Sequence, residues 1–419
     1  MPEQRRIHIV GAGLAGLSSA LQLALVGENV VLYETAPYAG GRCRSYFDRE
    51  LDCRIDNGNH LVLSGNAAVQ DYLALTNATD SMNLLESALY PFMDLKTGAR
   101  WTLRMNDGPI PWWIFDKKRR IPDTKIGEYL SLLRLLRANE TDTVADVLRR
   151  DTQLYRRFWE PLAIATLNTE PEIGSARLLS NLLAQSFSAG GKACQPLLPK
   201  IGLSESFVLP CLKVLEEHNA AIHFNHRLRK LAVENEAVRR LDFGETIVEL
   251  APDDWLILAV PAWVASEILP TLPVPNMFRG ITNLHYRVEV PNNPAGFTGL
   301  IGGLAEWVFV KQGIVSVTIS AADRYKEHSQ EEWADNVWID LAQLFDLDPA
   351  KVPPWRVVRE KRATFAATPA QQALRPRAYI GWKNLALAGD WTNTELPSTI
   401  EGAIRSGIKA AQVVRRWKE

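Results

Sequence analysis

Three glycines and one acid near the start of the chain are spaced for chemistry. Gly11-Ala12-Gly13-Leu14-Ala15-Gly16 follows an apolar run, Arg6-Ile7-His8-Ile9-Val10. A second apolar run, Asn29 to Tyr33, stops on Glu34. In a strand–turn–helix–strand unit of this kind the first glycine allows the tight turn. The second lets the backbone approach a pyrophosphate, and the third lets helix and strand pack closely. The phosphates rest on the helix N-terminus, where free N–H groups and the dipole favour anions. Glu34 then takes both hydroxyls of an adenosine ribose. A glycine-rich turn in an unrelated α/β protein is the competing reading. The spacing of strand, helix and acid favours a dinucleotide site made of Gly11, Gly13, Leu14, Ala15, Gly16 and Glu34.

Residues far down the chain decide which dinucleotide. Gly40-Gly41-Arg42 comes soon after Glu34. Near the other end, Leu385-Ala386-Leu387-Ala388 stops on Gly389-Asp390 and leads to Ser398-Thr399-Ile400-Glu401-Gly402-Ala403. NAD does not need a distant second half. FAD does, because its ribityl chain and ring extend well past the first unit. Ser398 and Glu401 have capping-box spacing, and the helix they start would aim its positive end at the flavin pyrimidine. That stabilises negative charge, which suits a reduced flavin ready to give a hydride.

The elements that carry these residues are spread along the chain. Cofactor-domain segments are expected at 1–65, 204–260 and 376–419, with a substrate domain from 66–203 and 261–375. The second cofactor segment reads as a helix, Ser204 to His218. Strand candidates Ala221–Phe224, Leu228–Val233, Ala237–Phe243, Thr246–Leu250 and Trp255–Val260 follow it. The 66–203 insertion reads as mostly helical, as in Tyr129–Arg137 and Thr143–Arg157. The 261–375 insertion mixes a strand, Val308–Ser320, with a helix, Gln330–Phe345. The fold class is α/β (α+β): a Rossmann-like FAD-binding domain with an inserted substrate domain.

Composition bounds the rest. The 419 residues suffice for two sizeable cores. A net charge of −1 with 47% hydrophobic residues gives no nucleic-acid signature. Cys43, Cys53, Cys194 and Cys211 show no CxxC and no metal-type spacing, so reduced thiols in a cytoplasmic protein and no metal are expected. No apolar run reaches the ~18–20 residues of a membrane span, and no signal peptide is evident. Thirteen tryptophans fit either a large core or a wide apolar cavity. In Ile110-Pro111-Trp112-Trp113-Ile114-Phe115-Asp116-Lys117-Lys118-Arg119-Arg120, bulky apolar residues precede four cations. That pattern suits peripheral contact with an anionic membrane. The alternative is a hairpin with its aromatics in the core.

Two longer blocks carry a resemblance. Phe158-Trp159-Glu160-Pro161-Leu162-Ala163-Ile164-Ala165-Thr166-Leu167-Asn168-Thr169 is one. The other runs from Gly389-Asp390-Trp391-Thr392-Asn393-Thr394 through Glu395-Leu396-Pro397-Ser398-Thr399-Ile400-Glu401-Gly402-Ala403 to Gly407. With Asp56-Asn57-Gly58-Asn59-His60 they resemble the squalene-associated FAD-dependent desaturase-like family, over essentially the whole chain. That family lies within the flavin amine oxidase and phytoene desaturase superfamily. Many of its members have Gln where this chain has Asn59; the swap keeps an amide.

The resemblance implies non-covalent FAD held also by Gly40, Gly41, Arg42, Gly58, Asn59, Leu228, Gly389, Asp390, Thr399 and Ile400. It implies reduction of hydroxysqualene, a C30 allylic alcohol, to squalene in squalene and hopanoid synthesis. An electron donor must reduce the flavin. The leaving hydroxide needs an acid, for which His60 is the first candidate and Asp56 the second. Glu395 and Glu401 read as polar framing and capping. Trp159, Asn168 and Trp391 are candidate substrate-binding residues, with plain packing as the alternative. A substrate that lives in the bilayer places the enzyme peripherally on the inner face of a bacterial plasma membrane, through 110–120. The rivals are an oxidative carotenoid desaturase of the same fold and a non-catalytic isoprenoid-binding flavoprotein.

Overall fold

The computed structural model describes residues 5–186, 190–291 and 294–416. Arg6–Val10 is the centre of a five-stranded sheet. Its order is Ala221–His223, Asn29–Tyr33, Arg6–Val10, Trp255–Leu258, Leu385–Leu387, and every pairing is parallel. Both faces are covered, so these strands read as unbroken apolar runs rather than alternating ones. Residues from three distant stretches of chain therefore meet side by side. Helix Leu14–Ala24 buries all its residues except Gln22. A helix apolar all round belongs inside, and it lies against the C-terminal helix Ile400–Arg416.

The second layer is a seven-stranded sheet. It runs Trp355–Phe365, Phe278–Arg287, Ile314–Ile319, Trp307–Lys311, Phe297–Ile301, Leu89–Asp94, Arg100–Arg104. Because strand side chains alternate, the sheet has two distinct faces. Leu284, Tyr286, Val315, Val317 and Ile319 pack on helix Gln330–Phe345, against Trp333, Val337, Trp338 and Leu341. That helix has the bounds expected from sequence and starts with a capping box of Ser329 and Glu332. The other face carries Tyr90, Phe92, Phe297, Trp307 and Phe309 and belongs to a second core.

Some expected elements are corrected. The 66–203 stretch is less helical than its pattern suggested: Met82–Leu84, Leu89–Asp94 and Arg100–Arg104 are strands. Tyr90 and Phe92 face one core and Met93 another, and such aromatic residues fit a pleated surface. Thr143–Arg157 is not one helix. Val144–Val147 is capped by Thr143 and stops after one turn, where the exposed Arg149–Asp151 ion pair interrupts the apolar spacing. The chain winds up again as a π turn at Tyr155–Trp159 and continues as helix Glu160–Leu167. Val308–Ser320 is a hairpin, not one strand, because Gln312 and Gly313 both take positive φ, 50° and 75°. Two successive left-handed residues make the tight turn that joins antiparallel strands. Among the described residues no helix is long and apolar enough to cross a membrane.

The capping box expected from Ser398 and Glu401 does not form. Thr399 Oγ1 instead accepts from Gly402 N at 3.0 Å. Glu401 turns away to cap another helix, Ala67–Leu75, taking Ala68 N at 3.2 Å and Val69 N at 2.9 Å. Arg405 Nε donates to the same carboxylate at 2.6 Å. Hydrogen bonds to charged groups contribute about 1.5–3 kcal/mol each, and their loss leaves buried donors unpaired. Glu401→Ala should therefore lower unfolding stability by about 2–4 kcal/mol in urea melts. A change below about 0.5 kcal/mol would show that the carboxylate is dispensable.

Candidate cofactor site and reaction chamber

The three early glycines do three different jobs. Gly11 has φ +107°, and a Cβ there would lie 2.5 Å from Ala259 O. A Cβ on Gly16 would lie 1.8 Å from Gly11 O, so helix and turn can touch only without it. A Cβ on Gly13 would meet nothing within 4 Å. The first two glycines are demanded by the protein itself, while the third borders open space at a helix N-terminus with no acidic residue in its first turn. The first amides of that helix have no intrahelical carbonyl to bond. Glu34 ends its strand there, with Oε2 accepting from Ala12 N at 2.7 Å and Oε1 from Ala36 N at 2.9 Å.

The Gly40-Gly41-Arg42 turn closes one side. Gly40 N donates to Ala12 O at 2.8 Å, and a Cβ on Gly41 would lie 3.4 Å from Gly13 Cα. Arg42 then reaches across to the C-terminal segment and donates to Asp390 Oδ1 at 2.7 Å. Gly389 has φ +146°, and a Cβ there would strike the Trp391 ring. Ser398 Oγ, just before the C-terminal helix, is buried with no hydrogen-bond partner. Leu228 is buried at the adenosine end, two residues after His226, whose amide donates to Glu34 O at 2.8 Å. The open cradle at Gly13, an anchored ribose acid and an orphaned hydroxyl fit a long dinucleotide with polar groups at both ends. The residues that would hold it are Gly13 to Gly16, Glu34, Gly41, Arg42, Asp390, Ser398, Thr399 and Ile400.

The Asp56–His60 loop lies between this cradle and the seven-stranded sheet. A Cβ on Gly58 would come 3.1 Å from Asn283 Nδ2, close enough that this side chain would have to shift. Asn59 Nδ2 donates to Thr318 Oγ1 at 3.1 Å, and Thr318 Oγ1 donates to Asn283 Oδ1 at 2.8 Å. Asn283 Nδ2 returns to Asn57 O at 3.2 Å. Both oxygens of Asp56 are engaged: Oδ1 by Ser45 Oγ at 2.6 Å and Leu203 N at 2.9 Å, Oδ2 by Lys311 Nζ at 3.0 Å. Asp56 thus ties the loop to three other elements. His60 is the freer of the two acid candidates. Burial, aided by Arg42 and opposed by Asp56, pushes its imidazole down to about 4. Burial also pushes His285 down to about 4. Its Nδ1 meets Ser316 Oγ at 2.7 Å, and its Nε2 is buried without a partner. In the unfolded chain both imidazoles protonate near 6.5, whereas in the fold they stay neutral until about 4, so the fold loses stability as pH falls across that window.

The candidate substrate residues divide. Trp391 is buried, donates to Val260 O at 2.8 Å, and borders a narrow pocket with Arg42, Trp263, Phe278, Arg362 and Asp390. Trp159 gives its indole N–H to Ser131 Oγ at 3.0 Å and packs on Phe158. Asn168 caps its helix in the left-handed region and links three segments, through Thr364 Oγ1 at 2.9 Å, Arg279 O at 3.4 Å and Ala321 N at 2.5 Å. Their polar atoms are thus engaged in joining the helices to one another and to the sheet.

Sequence reading missed the sheet face itself. Toward the loop it is polar, with Asn283, His285, Ser316 and Thr318. Beyond Ile314–Ile319 it turns aromatic, with Trp307, Phe309, Phe297, Phe92 and Trp101 in mutual contact. Period-two alternation in Phe278–Arg287 and Ile314–Ile319 was the available signal, but only strand order brings the two halves onto one surface.

Residues 14–415 match the model of the family described as "Flavin containing amine oxidoreductase". The chain belongs to that family. It is 44% identical over 409 residues to the hydroxysqualene dehydroxylase of Sinorhizobium fredii, covering 98% of each chain. It is 38% identical over 406 residues to the protein of that name from Zymomonas mobilis, covering 97% of this chain and 98% of the other. A solved putrescine oxidase variant shares the fold at TM-score 0.72 and 18% identity, covering 99% of each chain. The chain is thus an FAD-dependent oxidoreductase: the family supplies the flavin, and the βαβ cradle with Glu34 is built for a dinucleotide. Gly13→Val fills the open space with two methyl groups and should abolish FAD retention on purification, as read by absorbance and released cofactor. Wild-type FAD content in that variant, or NAD or FMN released from the wild type, would overturn the assignment.

Proposed function

We propose that this enzyme reduces hydroxysqualene to squalene. The observation that carries this reading is the 44% identity, across 98% of both chains, to a protein of that named activity. The divided sheet face supports it. A C30 hydrocarbon would lie along the partly exposed Trp307 and Phe309, which the buried Phe297 and Phe92 back, with its allylic alcohol toward the polar strands and His60. The C–O bond breaks, the oxygen leaves as water after gaining a proton, and the carbon gains a hydride. Reduced FAD supplies the hydride, after reduction by an electron donor of the cell.

The chain's own residues handle what remains. Aromatic faces stabilise a desolvated allylic cation by ~2 kcal/mol or more. The same walls exclude water, which would recapture the cation as alcohol. His60 is the group proposed to protonate the leaving oxygen. Its pKa near 4 makes the imidazolium a strong acid present in small amount at neutral pH. Turnover limited by His60 should therefore rise as pH falls from 7 toward about 4. His60→Ala should retain FAD, lose ~10²–10⁴-fold in substrate-driven flavin reoxidation, and lose that acidic limb. A slow variant with an unchanged pH profile would place the acid elsewhere. Asp56→Asn is the control, expected to weaken the loop's anchorage to Ser45 and Lys311 more than the chemistry.

We further propose peripheral membrane contact through 110–137, a segment that includes the expected 110–120 stretch. Ile110, Trp112 and Phe115 are 54–61% exposed. Trp113 is turned inward, edge-on to Tyr129 at 5.5 Å, so it belongs to the core. Ile126, Leu130, Leu133 and Leu136, at helical spacing in the next turns, are also exposed, between Lys125, Arg134 and Arg137. Exposed apolar groups rimmed by cations suit an anionic bilayer surface. Replacing Trp112, Phe115 and Leu130 by Ser should cut co-sedimentation with anionic liposomes severalfold, and high salt should weaken it through the basic rim. Unchanged liposome binding in the triple variant would remove the membrane from this surface.

A further inference from the structure

Asp390 is gripped by two arginines. Arg42 takes its carboxylate at 2.7 Å, and Arg375 Nη2 takes its backbone carbonyl at 3.0 Å. Arg375 is only 5% exposed. Its remaining donors go to Thr392 O at 2.5 Å, Thr394 Oγ1 at 3.0 Å, Leu396 O at 2.8 Å and Gln372 Oε1 at 2.6 Å. Every one of these acceptors is neutral, and Nε is buried with no partner. The guanidinium sits 4.8 Å from the centre of the Phe365 ring, which itself lines the pocket beside Asp390 and Trp391.

A buried charge without a counter-charge is costly. Burial lowers the Arg375 pKa to about 10, which still leaves it protonated at neutral pH. Holding a loop by its carbonyls does not require a charge, since a neutral amide donates as well. Of the other ionic groups near the cradle, Glu34 lies at the ribose end and Arg362 stacks on Trp263 and Phe278 at the pocket rim. Arg42 faces Asp390 and Lys311 faces Asp56, while His60 stays neutral at pH 7. Arg375 differs in being buried behind the cofactor loop, with Asp390 already paired to Arg42 and no carboxylate among its own acceptors.

We propose that Arg375 is a positioning residue whose buried charge favours the reduced, negatively charged form of bound FAD over the oxidised form. The proposal rests on the FAD assignment above. Taking up two electrons and one proton gives the flavin one net negative charge, and a fixed cation in a low-dielectric wall stabilises that state selectively. The residue touches no reacting atom; it acts through the Asp390–Leu396 loop.

The test is the two-electron reduction potential of FAD in the purified holoenzyme, measured against reference dyes. Arg375→Met should weaken the preference for reduced over oxidised FAD by roughly tenfold, a fall of about 30 mV. Arg375→Lys keeps the charge with fewer hydrogen bonds and should hold the potential near that of the wild type, even where it releases FAD more readily. Equal shifts in both variants, or none in Arg375→Met, would make Arg375 a mechanical clamp and overturn the proposal. If Arg375→Met does not retain FAD, the wild-type enzyme decides. Its reduced flavin should show the anionic spectrum at pH 7 and still at pH 6, and a neutral reduced spectrum at pH 7 would overturn the proposal. Wild-type protein without FAD would instead overturn the cofactor assignment on which it rests.

Discussion

The structure depends on one backbone approach, between helix Leu14–Ala24 and the C-terminal helix Ile400–Arg416. A Cβ on Gly407 would lie 2.3 Å from Ala15 O and 2.8 Å from Ser18 Cβ, so the helices meet where neither has bulk. Two hydroxyls lock the crossing: Ser18 Oγ donates to Ile404 O at 3.0 Å and Ser19 Oγ to Gly407 O at 3.1 Å. This contact aligns the N-termini of two helices on one ligand. It sets Gly13 opposite Gly389-Asp390 and lets Arg42 reach Asp390. Without it the phosphate cradle and the flavin-proximal loop would be parts of different sites.

The substrate side follows a different logic. A sheet normally spends its two faces on core and solvent, but here both are covered. One face is filled by helix Gln330–Phe345, and the other is left to the cofactor layer and the helices around Glu160–Leu167. Strand order then grades the second face from hydroxyl, amide and imidazole groups to aromatic rings. A substrate polar at one carbon and hydrocarbon elsewhere matches that gradient. An amine would need a counter-charge at the polar end, where Asn283, Ser316 and Thr318 are neutral and the Asp56 carboxylate is already held by Lys311, Ser45 and Leu203 N.

Much of this was legible in the residues, and the illegible part has a common cause. The cofactor cradle rests on local spacing: Gly11, Gly13 and Gly16 sit within one turn, and Glu34 follows on the next strand. The Gln330–Phe345 helix has both a capping box and a clear apolar stripe, so its bounds could be read directly. What failed depended on long-range partners. Glu401 looked like a cap for its own helix because Ser398 stands three residues before it, yet its acceptors are used on Ala68 and Val69. Gly58 was expected on its place in the motif, and sequence did not show that Asn283 on a distant strand crowds it as well. Asn283, Thr318 and Arg375 carried no motif, since each matters only through neighbours more than a hundred residues away or through a loop whose path sequence does not give.

The Glu401 carboxylate has a consequence for how the enzyme is made. It joins residues 333 positions apart, and Leu385–Leu387 is the last strand added to the parallel sheet. The N-terminal βαβ unit emerges from the ribosome first and can fold early, but its glycine turn then stands beside an unfinished sheet edge and an uncapped Ala67–Leu75 helix. Only when residues 385–407 have been synthesised do Asp390 and Glu401 arrive to complete both. Completion of the site therefore waits on residues 385–407. Until then the chain carries exposed apolar strand edges, the kind of surface that makes a partly folded chain prone to aggregate.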